Sequence, residues 1–191
     1  MNLNHEVNKI IVIPYHEQFN VLADFVLQTA KVLESRKHRV YIIAYKYPLW
    51  LPKLFKTIIT GHEKFSEKIN NSNINIIRPL TIFPNVNWLP YKFKRTNSWF
   101  SLKIILIFMN SLNQPILWCF DHEDLELLMS TKQKAISLYD CVDYFTTLNK
   151  KVKYNLLFRE SRLIQEANYF FVNSHILFKL KKHVRNATKI V

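Results

Sequence analysis

Side chains that can donate, accept or transfer protons follow three short apolar segments in the second half of the chain: Asp121 and His122, Asp140 and Asp143, and Ser174. The apolar segments are rich in β-branched and aromatic residues, which predicts buried strands at 115–120, 135–139 and 169–172. Ligands of open α/β sheets bind outside the carboxyl ends of the strands. The pattern therefore predicts that these polar groups line a cleft at one edge of a sheet.

The acidic and imidazole groups of this set suit proton transfer. Asp121 and His122 form a carboxylate–imidazole pair that can accept a proton near neutral pH. Asp140 can orient a hydroxyl group or act as a general base. The alternative roles are structural: an exposed cluster or a helix start at Asp121, bonding of loop amides by Asp140, and capping of the next helix by Asp143.

Three other polar residues are candidates for contact with a substrate. His16 and Glu17 follow the first predicted strand, where the alternative is a solvated loop. Ser174 precedes a predicted helix, and its position favours capping of that helix. Contact between Ser174 and a substrate is then incidental to the cap.

Apolar periodicity predicts the elements that position these groups. In the first part of the chain the predicted elements are strands at 9–14, 39–44 and 75–78, helices at 19–36 and 96–112, and a loop over 80–94. A loop between 120 and 135 and a last strand at 189–191 complete the order. Because strands alternate with helices, the sequence predicts an α/β fold with a doubly wound, mainly parallel sheet of Rossmann type. At 191 residues the chain is expected to form one domain, residues 1–191.

Composition excludes several kinds of site. Gly61 is the only glycine, so neither a Walker loop nor a G-x-G-x-x-G dinucleotide loop is present. Cys119 and Cys141 are the only cysteines, too few and too widely spaced for a zinc site, and they are expected to be free thiols in the core. No metal and no cofactor is therefore expected.

The chain is strongly basic, with 27 Lys and Arg against 14 Asp and Glu and a net charge of +13. Such a charge favours polyanionic partners. The segment 88–95, W-L-P-Y-K-F-K-R, combines aromatic and basic residues in the manner of a contact with an anionic membrane surface. The alternative is an ordinary surface loop. Nucleic acid is the least favoured partner because no nucleic-acid-binding motif accompanies the charge.

The N-terminus lacks the basic segment and long apolar run of a signal peptide. The most apolar segment, 99–109, is too short to span a bilayer. The expected location is the cytoplasm, with peripheral contact on the inner face of the cell membrane.

Four features of the second half form a recognisable pattern: P-I-L-W at 115–118, Y-D-C-V-D at 139–143, Glu160 within a helix, and A-N-Y-F-F-V-N-S at 167–174. Together they resemble the acceptor-side half of GT-B-type bacterial glycosyltransferases, in particular the cell-surface polysaccharide group of teichuronic-acid type. The segment R-K-H-R-V at 36–40 is similar to that family's R-G-H-x-V. Lys37 stands where the family usually has glycine, which predicts a left-handed residue that costs about 1 kcal/mol. Asn168 stands where aspartate is usual.

The resemblance implies that a sugar is transferred from a nucleotide-sugar, which is a substrate and not a cofactor, to a polysaccharide or lipid-linked acceptor. This chain would hold the acceptor, and Asp140 would lie near the position of a cleft histidine in related enzymes. The family's donor-binding domain is expected to be absent, so that activity requires a C-terminal half supplied in trans. The alternative is a non-catalytic module, derived from such a domain, that docks on a membrane or a partner.

Overall fold

The computed structural model describes residues 8–16, 25–45, 48–52, 66–68, 72–84, 86, 88–142 and 150–182. The chain divides into two compact units, Met1–Pro115 and Ile116–Val191, which we describe separately. The described elements of the first unit are β1 (Ile10–Tyr15), α1 (Phe25–Ser35), β2 (Arg39–Ala44), β3 (Leu49–Trp50), β4 (Ser66–Lys68), β5 (Ile74–Ile77), β6 (Leu80–Thr81) and α2 (Tyr91–Ser111). Those of the second are β7 (Ile116–Cys119), a 3₁₀ turn (His122–Asp124), α3 (Leu125–Thr131), β8 (Ile136–Cys141), α4 (Lys150–Glu166), β9 (Tyr169–Val172) and α5 (His175–Lys181).

The sheet of the first unit is parallel except at its edge. β1, β2 and β5 pair in parallel, with Ile11 opposite Val40 and Val40 opposite Ile74. The short β4 pairs antiparallel with β5, and β3 pairs in parallel with β6 in a separate small sheet. All residues of β1 are buried, as its continuous apolar sequence predicts for a parallel strand covered on both faces.

Helix α1 ends at a left-handed residue, as the comparison with R-G-H-x-V predicts. Lys37 has a φ of 63°, and its N–H donates to the Glu34 carbonyl at 2.7 Å. The N–H of His38 donates to the Leu33 carbonyl at 3.1 Å. These two bonds form a Schellman motif, in which glycine is the usual left-handed residue because it has no Cβ. The motif turns the chain directly into β2.

Helix α2 is fastened to β6 and the residues after it by polar side chains. Asn97 accepts hydrogen bonds from the N–H groups of Ile82 (3.1 Å) and Phe83 (2.9 Å) and donates to the Phe83 carbonyl (3.0 Å). Ser101 donates to the Leu80 carbonyl at 2.6 Å. The buried residues of α2 recur every four positions: Asn97, Ser101, Ile105 and Met109. This face of the helix is therefore fixed in its orientation.

The second unit contains the parallel strands β7, β8 and β9, with β8 in the middle. Side chains alternate between a fully buried face, which carries Ser137, Tyr139 and Cys141 of β8, and a less buried face. Asn168 joins two strands, since its Oδ1 accepts from the N–H (2.8 Å) and the hydroxyl (3.0 Å) of Ser137. An aspartate oxygen can accept the same bonds, which explains why either residue suits this position.

The predicted fold class is confirmed, because mainly parallel strands with flanking helices form a Rossmann-like α/β fold. The predicted strands 39–44 and 169–172 match β2 and β9. The loop predicted over 80–94 is wrong, since β6 and the first turn of α2 lie within it. Pro90, with φ of −56°, precedes α2, and proline suits a helix start because the first N–H groups have no helical acceptor.

The loop predicted between 120 and 135 is also wrong, because it contains the 3₁₀ turn and α3. The predicted strand at 189–191 and the first turns of the predicted helix at 19–36 lie outside the described residues. Within the described ranges, we find no helix with both the length and the apolarity that crossing a bilayer requires.

Candidate functional site

The carboxyl end of β7 leads into a turn that is organised by its own carboxylates. Asp121 accepts a hydrogen bond from the N–H of Glu123 at 2.8 Å and starts the 3₁₀ turn. The buried carboxylate of Asp124 accepts from the N–H groups of Phe120 and Asp121, each at 3.2 Å. Asp121 therefore has the structural role that the sequence left open, and it holds the backbone that presents His122.

His122 lies beside the carboxylate of Asp121 and is partly buried, with 20% of its side chain exposed. Its Nδ1 is 2.9 Å from Asp121 Oδ1. The adjacent Asp121 carboxylate raises the pKa of His122 above its ordinary value, and this outweighs the opposite effect of burial. The pair is therefore a proton-accepting group whose affinity for protons is higher than that of an isolated histidine.

Removal of the Asp121 charge is expected to lower the pKa of His122. In Asp121→Asn the amide oxygen can still accept from the Glu123 N–H, so the turn persists while the charged partner is lost. The raised pKa means that the pair stabilises the fold fully below the unfolded pKa of about 6.5, and this contribution disappears as pH rises through the folded pKa. An NMR titration of the His122 ring measures the change.

Glu123→Gln is the matched control for this titration, because Glu123 raises the pKa of His122 less than Asp121 does. We expect a smaller decrease in this variant. An unchanged His122 pKa in Asp121→Asn would show that the carboxylate is not its main partner.

Arg159 of α4 holds this turn through hydrogen bonds to two of its backbone carbonyl groups. Its Nε donates to the His122 carbonyl at 3.2 Å and its Nη2 to the Glu123 carbonyl at 3.3 Å. The same guanidinium forms a two-point ion pair with Glu126 of α3. Arg159 could not be recognised as part of the site from its position in the sequence, because its hydrogen bonds to the turn join residues more than thirty positions apart.

Asp140 lies at the carboxyl end of β8, on the less buried face of the sheet. Burial raises the pKa of its carboxyl above the ordinary value. The indole N–H of Trp118, on β7, opposes this rise, although within the described residues it has no hydrogen bond of ordinary geometry. A half-buried carboxylate with a raised pKa is a better proton acceptor than an exposed one. Trp118 belongs to the P-I-L-W segment, but nothing in the sequence indicates that its indole lies near Asp140.

The buried face behind Asp140 holds a second set of polar groups. Glu160 of α4 forms an ion pair with Lys181 of α5, and only 1% and 6% of these residues are exposed. Glu160 Oε1 also accepts from the Tyr139 hydroxyl at 3.4 Å and from the Cys141 thiol at 3.5 Å. This set anchors the end of β8, one residue to either side of Asp140.

The two cysteines are buried and unsuited to nucleophilic chemistry. Burial raises the pKa of the Cys141 thiol to about 12, and the nearby Glu160 carboxylate adds to the effect. Burial also raises the pKa of Cys119 well above its ordinary value. Both are therefore thiols at neutral pH, and the thiolate is the reactive form. The expectation of free cysteines in the core is confirmed.

Ser174 follows β9 and caps α5, since its hydroxyl oxygen accepts from the Leu177 N–H at 3.2 Å. The neighbouring Asn173 donates through Nδ2 to the Val142 carbonyl at 3.0 Å, which joins the segments that follow β8 and β9. In the first unit, His16 follows β1 and stacks on Tyr45, which follows β2, with ring centroids 4.5 Å apart. Glu17 and Asp143 lie outside the described residues.

The structure thus brings Asp121, His122, Asp140 and Ser174 to the carboxyl ends of the strands of the second unit. His16 has the equivalent position in the sheet of the first unit. Among the described residues, no group of three or more His, Cys, Asp or Glu side chains could hold a metal ion. The arrangement can bind hydroxyl groups and accept a proton from one of them.

A solved structure of sucrose-phosphate synthase from Thermosynechococcus elongatus superposes on 96% of this chain with a TM-score of 0.64. The two proteins share a mainly parallel α/β fold of Rossmann type. Sequence identity is 11%, so the likeness establishes the fold alone, and this chain covers 47% of that protein. A shorter structure of the same synthase matches with a TM-score of 0.59 and 12% identity, over 96% of this chain and 86% of that one.

A trehalose 6-phosphate synthase from Burkholderia multivorans gives a TM-score of 0.52 at 7% identity, over 94% of this chain and 44% of that one. The chain therefore spans about half the length of the full-length enzymes that share its fold. No protein-family model matches the sequence. No curated protein matches it either.

Proposed function

We propose that this chain is the acceptor-binding part of a glycosyltransferase that uses a nucleotide-sugar. The acceptor is a cell-surface polysaccharide or a lipid-linked glycan, as the resemblance to enzymes of teichuronic-acid type implies. One observation carries the proposal: a half-buried carboxylate and a carboxylate–imidazole pair follow neighbouring parallel strands, at the edge where α/β sheets bind ligands.

Asp140 is the group that we assign to the acceptor hydroxyl. Burial raises the pKa of Asp140, and the resulting increase in proton affinity suits a general base. As the acceptor oxygen forms its bond to the anomeric carbon, the bond from that carbon to the nucleotide phosphate breaks. The hydroxyl proton passes to Asp140, and the diphosphate leaves with the bonding electrons.

The Asp121–His122 pair is the second proton-accepting group. We assign to it the positioning of a neighbouring hydroxyl group of the acceptor. Its imidazole is oriented by Asp121, and its backbone is held by Arg159. Support comes from the different roles of the carboxylates and hydroxyls: Asp121 and Ser174 cap helical turns, whereas Asp140 is not the N-cap of any helix whose cap the structure describes.

The nucleotide-sugar donor would bind to a different domain. The chain covers about half of the synthases that share its fold, and the remainder of such an enzyme would bind the nucleotide. We therefore assign acceptor binding to this chain and donor binding to a second domain, which a separate polypeptide can supply.

A ligand-observed NMR experiment tests this assignment on the full chain. The probes are a panel of short glycans on undecaprenyl-phosphate analogues and a panel of uridine, guanosine and thymidine diphosphate sugars. We expect saturation transfer to at least one acceptor glycan, and a loss of about tenfold in affinity in Asp140→Asn, which corresponds to about one lost hydrogen bond to a charged group.

Lys37→Gly is the control for this experiment, because Lys37 is an exposed residue at the end of α1. It should leave glycan binding unchanged. Equal binding by Asp140→Asn and the unsubstituted chain would contradict the role of Asp140. Sugar transfer or nucleotide-sugar hydrolysis by this chain alone would contradict the separation of donor and acceptor sites.

The second candidate function is a non-catalytic docking module. The observation that favours it is the exposure of large apolar side chains next to basic ones on α2. Binding to a membrane without binding to any glycan probe, and without sugar transfer in the presence of a donor domain, would favour the module over the enzyme.

A further inference from the structure

Helix α2 presents a continuous stripe of basic and large apolar side chains to solvent. The stripe consists of Lys92, Arg95, Trp99, Lys103 and Ile107. Successive members are three or four residues apart, a spacing that keeps them on one side of an α-helix. We call this set the outer stripe of α2.

The outer stripe is exposed because the opposite side of the helix is fixed. Asn97 and Ser101 bond to the backbone of residues 80–83, and Ile105 and Met109 are buried along the same side. Rotation of α2 to hide the stripe would break these hydrogen bonds. The exposure of the stripe therefore results from the same contacts that hold the helix in place.

The apolar members of this surface are unusually exposed for their size. The exposed fractions are 58% for Trp99 and 66% for Ile107, and 78% and 79% for Trp88 and Tyr91 next to the helix start. The ammonium group of Lys103 lies 5.8 Å from the centre of the Trp99 ring. The Lys103 ammonium group and the Trp99 ring are therefore close enough for one partner to contact both.

The segment of the sequence that carries this surface has no acidic residues. No aspartate or glutamate occurs between Glu67 and Asp121, a range that includes the whole of α2 and the strand β6 on which it packs. No acidic side chain within this range can therefore neutralise the positive charge of the stripe, and the whole chain has a net charge of +13. A partner that complements this surface is anionic and accepts aromatic and aliphatic side chains at its boundary.

We propose that the outer stripe of α2, with Trp88 and Tyr91, docks on the surface of an anionic lipid bilayer. Tryptophan and tyrosine favour the headgroup level, and lysine and arginine are attracted to anionic headgroups. The helix lies along the membrane, with Trp99 and Ile107 at the boundary of the acyl chains. Nucleic acid is a poorer match, because the exposed aliphatic Ile107 has no role on a phosphate backbone. The proposal is independent of the glycosyltransferase assignment.

Co-sedimentation of the full chain with vesicles tests the docking. The vesicles contain phosphatidylcholine alone, or phosphatidylcholine with about 30% phosphatidylglycerol, at about 0.05 M and about 0.5 M NaCl. We expect partitioning onto the anionic vesicles only, weakened at the higher salt concentration. We expect binding to be at least about 20-fold weaker in the triple variant Lys92→Gln/Arg95→Gln/Lys103→Gln, because three charges near the membrane surface are lost.

A variant with the same change of charge away from the stripe is the matched control. Lys31→Gln/Lys153→Gln/Lys179→Gln removes three exposed charges from α1, α4 and α5, and we expect a loss below about threefold. Circular dichroism and thermal unfolding confirm that both triple variants are folded. Equal losses in the two variants would overturn the proposal, because net charge and not this surface would then control binding.

Tryptophan fluorescence measures the contact between the apolar side chains and the acyl chains separately. Brominated acyl chains should quench tryptophan fluorescence of the bound protein, and Trp99→Phe should remove part of that quenching. Unquenched fluorescence in the bound state would overturn insertion to the acyl boundary. Binding of a single-stranded oligonucleotide or self-association, lost in the stripe variant while vesicles are not bound, would assign the surface to that other partner and overturn the proposal.

Discussion

Replacement of Lys181 by methionine is expected to lower the free energy of unfolding by about 3–5 kcal/mol. The ammonium group of Lys181 pairs with Glu160 in the interior of the second unit, where the two residues are 6% and 1% exposed. Methionine fills a similar volume but leaves the Glu160 carboxylate buried without its cationic partner. Loss of that partner is costly because little water can reach the charge. Urea or guanidinium unfolding measures the effect.

Two comparisons identify the buried charge as the cause. In Glu160→Gln/Lys181→Met both charges are removed, and the amide oxygen can still accept from Tyr139, so we expect much of the lost stability to return. Lys132→Met breaks an ion pair with Glu166 whose lysine is 50% exposed, and we expect a loss below about 1 kcal/mol. Similar small losses for Lys132→Met and Lys181→Met would show that the interior pair contributes no more than a surface one.

Replacement of Asn97 by alanine is expected to cost about 2–3 kcal/mol. Asn97 is 7% exposed, and its side chain makes three hydrogen bonds to the backbone at Ile82 and Phe83. Alanine leaves two N–H groups and one carbonyl in a partly buried position without these partners. Chemical unfolding gives the loss of stability. Hydrogen exchange at the Ile82 and Phe83 amides gives its location, and both should exchange faster.

The neighbouring Ser98 provides the matched control for Asn97. Ser98 is exposed, and its hydroxyl bonds only to the Lys94 carbonyl of the preceding turn among the bonds described for it. Ser98→Ala should therefore change stability by less than about 0.5 kcal/mol. Asn97→Asp retains the acceptor oxygen and loses the donor, and we expect an intermediate loss. Equal changes in the free energy of unfolding for Asn97→Ala and Ser98→Ala would show that the hydrogen bonds of Asn97 contribute little to stability.

The strands could be predicted because their signals are local. β2 and β9 are apolar runs with polar residues at each end, so both boundaries were correct. The start of α2 was missed because Pro84, Pro90 and the aromatic residues near them are typical of a loop. The hydrogen bonds from residues 82 and 83 to Asn97 hold the first part of the helix in place, and they depend on tertiary structure.

The positions of the candidate site residues were easier to predict than the residues that contact them. A polar residue at a strand end is visible in the sequence, so Asp121, His122, Asp140 and Ser174 could be placed at the ends of their strands. Arg159 and Lys181 were not placed, because they reach the site from α4 and α5 across more than twenty positions of chain. The pairing of Glu160 with Lys181, which lies 21 positions away in the sequence, has no local signal for the same reason.

The inaccessibility of Cys119 and Cys141 makes the native chain a convenient background for site-directed labelling. Maleimide reagents react with thiolates at the surface, and neither residue offers one. A cysteine introduced at an exposed position such as Asn110 would then be the sole attachment point for a fluorophore or spin label, with no native residue to remove first.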